Sequence, residues 1–65
     1  MKVNVEKLKT AMIKACMGST ALAKTAHVGS ATIARILHGE NDVQLSTVGK
    51  LSKALNVDFR EIVEE

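Results

Sequence analysis

The sequence predicts an all-α chain, and three observations predict it. Val, Ile and Thr nowhere alternate with polar residues over a strand-length window, so the period-two signature of a half-buried strand is missing. Apolar residues recur instead at helical three- and four-residue intervals, in short segments separated by Gly, Ser, Asn and Asp, with no proline anywhere in the chain. A length of 65 residues leaves room for one core, so residues 1–65 read as a single compact domain of five helices.

The first helix is expected from about Val5 to Cys16, with Asn4 as its cap and Val3 stapled onto Leu8. Val5, Leu8, Met12 and Ala15 form its inward face. Gly18 and Ser19 break the chain and open a short second helix to about Ala26, with Leu22, Ala23 and Ala26 inward. After a tight turn at His27 and Val28, Gly29 or Ser30 caps a third helix whose apolar positions are Ile33, Ile36 and Leu37. Gly39 stops that helix, because glycine accepts the left-handed conformation that closes helices. The polar segment GENDVQ, residues 39–44, is a loop, and a fourth helix from about Leu45 to Leu55 buries Val48, Leu51 and Leu55. Asp58 and Glu61 form a D-x-x-E capping box, with Val57 able to staple onto Ile62. They mark a fifth helix with Phe59, Ile62 and Val63 on its apolar face, so the last two helices span about 45–63.

Several function classes are excluded by composition. One Cys cannot form an internal disulfide, and no Cys/His cluster has zinc-site spacing, so no metal or other cofactor is expected. The 46% apolar content is broken into runs of a few residues, far below the roughly 18 a membrane span needs. The opening MKVNVEKLKT carries charges where a leader needs its apolar stretch, so a cytoplasmic protein with a reduced, packing Cys16 is expected. His27 and His38 have no nucleophile at a spacing that would form a dyad, and an enzyme is not expected.

A net charge of +2 is too small to identify a partner, but its distribution is informative. Residues 1–38 hold six basic side chains (Lys2, Lys7, Lys9, Lys14, Lys24, Arg35) and one acid, Glu6. Residues 39–65 hold three basic side chains (Lys50, Lys53, Arg60) and six acids. One half is suited to face an anion and the other to face away from it.

Within the basic half, residues 18–39 (GSTALAKTAHVGSATIARILHG) read as a short helix, a tight turn and a second helix. Ala23 permits their close approach, and Val28, Ile33 and Ile36 pin the second helix to the core. This is a helix-turn-helix pattern, with the motif at about 18–38, whose second helix can lie in a DNA major groove.

At these residues the chain resembles the lambda-repressor-like, Cro-type helix-turn-helix family, and the resemblance extends from Leu8 to Val63. It rests on Leu22-Ala23 with Val28, Ile33, Ile36 and Gly39, then a polar loop, then a helix ending in SKALNV at residues 52–57. Three positions depart from the family pattern. His27 stands where the turn usually has Gly, and Val43 replaces a loop proline. Met12 and Leu37 together replace a buried Arg and Glu, a joint change that strands no charge and predicts contact between the two side chains.

The resemblance implies a sequence-specific transcriptional regulator of double-stranded DNA, nucleoid-associated and acting as a dimeric repressor, with the third helix (about 30–37) in the major groove. Ser30, Ala31, Thr32 and Arg35 are the implied base contacts, and Arg35 alone can grip guanine O6 and N7 with two donors. Phosphate contacts fall to the backbone at Ser19 and Thr20, with Lys24, His38, Asn41 and Lys14 as further candidates. Val57, Phe59, Ile62 and Val63 are the candidate homodimer interface. The rival reading is a protein-interaction module, antitoxin-like or adaptor, that keeps the fold but binds DNA weakly. Its support is the small side chains at 30 and 31, Ser at 19 and the low net charge.

Overall fold

The computed structural model describes residues 1–40 and 42–64. Among the described residues four α-helices follow in order, α1 (Val5–Lys14), α2 (Ser19–Ala26), α3 (Ser30–Leu37) and α4 (Leu45–Leu55), and a 3₁₀ turn covers Phe59–Glu61. α2 packs against both α3 and α4, while α1 and α4 meet the 3₁₀ turn. Val3, Leu8, Leu22, Ile33, Leu51 and Ile62 are wholly enclosed and draw every element into one core. Met12 and Leu37 both pack into this core, Met12 buried and Leu37 half-buried.

The expected fifth helix is corrected to that single 3₁₀ turn. Its capping box forms, with the Asp58 carboxylate accepting from Arg60 N at 2.9 Å and Asp58 N donating to Glu61 at 3.2 Å. Beyond it the backbone is claimed by the start of the chain. Asn4 N donates to Ile62 O at 2.8 Å, Glu64 N to Lys2 O at 2.9 Å, and Val3 bridges Val63 in antiparallel fashion. A helix cannot continue through residues paired in that way.

The other side of the same segment pairs with the loop after α3, where Val43 N donates to Met1 O at 2.8 Å and the Met1 amino group to Val43 O at 3.1 Å. Residues 1–4 thus form a seam between the loop and the chain's last residues, which periodicity did not reveal. It buries Val43, a residue expected in a plain polar loop. Other inward assignments shift with it: Ala11 is buried, Val5 and Ala15 are half-buried, and Phe59 remains 42% exposed.

All four helices end in one way. A residue with positive φ donates its N–H three residues back, and the following residue donates five residues back, which is the Schellman closure. The pairs are Cys16 to Ile13 with Met17 to Met12, His27 to Lys24 with Val28 to Ala23, Gly39 to Ile36 with Glu40 to Arg35, and Asn56 to Lys53 with Val57 to Ser52. The four turning residues lie at φ 56°, 58°, 108° and 57° respectively, and only Gly39 is a glycine. His27 therefore occupies the left-handed position that its place in the turn required. Cys16 is corrected: it follows α1 as an exposed turning residue outside the core. After three of the four turns the next side chain, Met17, Val28 or Val57, folds onto the core.

Asp58 and Arg60 form a two-pronged ion pair at 2.9 and 3.1 Å. Hydrogen bonds from the Arg60 side chain and backbone push the Asp58 carboxyl down to about 2 from its ordinary 3.8.

Two outcomes follow from these features. Left-handed backbone costs an ordinary residue about 1–2 kcal/mol, part of which glycine returns to chain entropy, so Cys16→Gly should stabilise by about 0.5–1 kcal/mol. Thermal unfolding should then rise by about 2–8 °C, with a smaller gain for Asn56→Gly because Asn tolerates this region, and Gly39→Ala should lower it. An unchanged midpoint in Cys16→Gly would show that its turn carries no strain. Because the Asp58 pKa is lower in the folded chain than in the unfolded one, the stability it contributes is present above about pH 4 and lost as pH falls toward 2. Urea midpoints across that window should fall less for Asp58→Asn than for the wild type.

Candidate nucleic-acid interface

α3 buries Ile33 and Ile36 and turns Ser30, Ala31, Ala34, Arg35 and His38 outward. These outward positions follow i, i+1, i+4, i+5, i+8, a single stripe opposite the core. Of the residues implied as base contacts, Ser30, Ala31 and Arg35 lie on this stripe, and Thr32 stands half-buried at its edge. Ala34 belongs to the stripe and was missed; its spacing from Ser30 and Ala31 was the available signal. Its methyl group lets the helix backbone approach a groove floor closely and suits a thymine methyl.

Arg35 is held along its own helix. Its Nη2 donates to Thr32 Oγ1 at 3.5 Å, and its Nε lies 3.7 Å from Glu40 Oε2. Both side chains of the ion pair remain largely exposed, at 64% and 71%. They border an open groove of about 640 Å³ between α3 and the start of α4, also lined by Thr32, Ile36, Asp42 and Thr47.

The starts of the helices differ in one respect. α1 begins with Asn4, whose carboxamide accepts from Lys7 N at 3.0 Å, and has Glu6 in its first turn. α2, α3 and α4 begin at Gly18, Gly29 and Gln44 with no side-chain cap and no acid in the first turn. Their first N–H groups retain the partial positive charge that a helix N-terminus presents to an anion. Ser19 and Thr20, both exposed, are the first two residues of α2.

The remaining candidates are dispersed. Lys24 is exposed in the last turn of α2, and His38 closes α3. Lys14 lines a different groove with Glu6, Lys7 and Glu61, beside α1 and the 3₁₀ turn, and shares no lining residue with the groove along α3. Asn41 lies outside the described residues. Of the candidate dimer face, Ile62 and Val63, at 0% and 5% exposure, are packed in the chain's own core. Phe59 is open, and Val57 is half-buried against the core.

No helix among the described residues is long and apolar enough to cross a membrane. α2 and α3, joined by the left-handed turn at His27 and locked by Ala23, Val28 and Ile33, are the two helices of a helix-turn-helix domain. The model of the Cro/C1-type HTH DNA-binding domain matches residues 7–64, and the chain belongs to that family. Among curated proteins, none matches the chain.

Proposed function

We propose that this domain is a sequence-reading transcriptional regulator that sets the exposed stripe of α3 in the major groove and acts as a repressor by occupying its site. The observation that carries this reading is the run of three uncapped, acid-free helix starts at α2, α3 and α4, beside a recognition stripe that holds Arg35. A side-chain N-cap gains about 1 kcal/mol over alanine and a few tenths over glycine, which stands at two of these starts. Leaving three open is explained if phosphates complete them. The cation-rich half of the chain supports the same partner.

On this reading Arg35 is the main base reader, Ser30, Ala31, Thr32 and Ala34 give hydrogen bonds and methyl contacts, and the backbone at Ser19 and Thr20 with Lys24 and His38 positions the duplex. Lys14 is a peripheral phosphate contact, and Asn41 is a further one on the resemblance alone.

One eight-residue recognition helix covers few base pairs, so two copies related by a two-fold axis would read a palindrome with half-sites about 34 Å apart. The domain measures 25 × 21 × 19 Å, and two side by side reach across that distance. Phe59 is the aromatic anchor we assign to the pairing face.

Gly18→Asp tests the reading without disturbing the fold, since Gly18 has ordinary φ of −81° and open space where a Cβ would stand. The added carboxylate should stabilise the domain by about 0.3–1 kcal/mol through the helix dipole. It should also weaken binding to a site selected from a pool of random duplexes, and flatten the slope of log affinity against log salt by about one phosphate contact. Failure of the wild type to select any site would favour the interaction-module alternative.

In sedimentation, Phe59→Ala should convert the dimer to monomer. A dimer that survives the change would remove Phe59 from the interface.

A further inference from the structure

We propose that Glu40 is a positioning residue for Arg35 that determines specificity, turning the arginine toward a base edge and away from phosphate. The inference rests on the DNA-reading function proposed above and adds to it a residue outside the recognition helix.

Glu40 is the exception among the four helix closures. Where Met17, Val28 and Val57 follow their turns and fold onto the core, the residue after Gly39 is an exposed carboxylate. The turn brings it back onto the helix: Glu40 N donates to Arg35 O at 2.9 Å, and its carboxylate approaches Arg35 Nε at 3.7 Å. In this closure the two residues so joined usually make an apolar contact. Here that contact is replaced by an ion pair, and the arginine involved is the one on the exposed stripe.

The guanidinium offers its donors as a planar fork. With Nε 3.7 Å from the Glu40 carboxylate, the two terminal nitrogens remain for another partner, and two parallel donors are what guanine O6 and N7 require. Thr32 Oγ1 holds Nη2 at 3.5 Å, the long limit of a hydrogen bond, and would be exchanged for the base. A phosphate offers the arginine no such selective advantage, and drawing Arg35 to the DNA backbone would bring the Glu40 carboxylate toward like charge. Asp42, on the same groove, is already matched by the Met1 amino group at 3.4 Å, so the uncompensated carboxylate facing Arg35 there is that of Glu40. The arrangement penalises non-specific contact more than base contact.

The test is a double-mutant cycle. Wild type, Glu40→Gln, Arg35→Ala and the double variant are measured by fluorescence anisotropy against the site selected by the wild type and a scrambled duplex, at one fixed salt concentration. Glu40→Gln should bind the scrambled duplex about 3- to 5-fold more tightly, the size of an exposed ion-pair effect, with little gain on the selected site. The ratio of the two affinities should therefore fall by a similar factor. In the Arg35→Ala background the same change should leave the ratio untouched.

A Glu40→Gln variant that tightens both duplexes equally would reduce Glu40 to a general charge and overturn the inference. So would an equal loss of ratio in the Arg35→Ala background. A wild type that selects no site would overturn the DNA-reading function and this inference together, whereas selection with an unchanged ratio would remove only the latter.

Discussion

The structure depends on ending each helix within two residues. Four helices and a 3₁₀ turn lie within the described residues, 1–40 and 42–64, so the chain must reverse abruptly, and it does so each time by one residue in the left-handed region followed by a bond five residues back. The closure satisfies carbonyls that a helix end otherwise leaves open. It also aims the next side chain at the core, so Met17, Val28 and Val57 serve both as chain punctuation and as packing. The angle between α2 and α3, on which presentation of the recognition stripe depends, follows from the turn at His27 and the seating of Val28 behind it.

Against that uniformity at the C-terminal ends, the N-terminal ends divide the molecule. Asn4 and Asp58 cap the elements at the periphery, where Arg60 also draws the Asp58 carboxyl well below its usual range. α2, α3 and α4 have no such caps. Side-chain caps thus close α1 and the 3₁₀ turn, while the helix-turn-helix and α4 begin with free N–H groups.

Much of this was legible in the sequence because its signals are local. Helix positions followed from apolar spacing, the caps from Asn4 and from Asp58 with Glu61, and the positive φ at His27 from the resemblance, in which a glycine usually stands at that place in the turn. What escaped was non-local. The pairing of residues 1–4 with Val43 and with residues 62–64 joins segments some 40 and 60 positions apart, and no periodicity announces such contacts. That pairing is why the last segment stops at a 3₁₀ turn, and why Ile62 and Val63 are internal. The exposed stripe was partly legible: Ser30, Ala31 and Arg35 follow from the resemblance, Ala34 follows only from helical spacing along the stripe, and the approach of Glu40 to Arg35 requires the geometry of the turn.

Chain ends are ordinarily the first part of a domain to fray. In this molecule the first residues hold Val43, which lines the groove beside α3, through hydrogen bonds in both directions. They also hold the final residues through Lys2 and Asn4. Opening the start of the chain therefore cannot remain a local event. It frees the loop that borders α3 and the segment that follows the 3₁₀ turn, so three stretches distant in sequence are tied into one opening unit that includes one flank of the groove along α3.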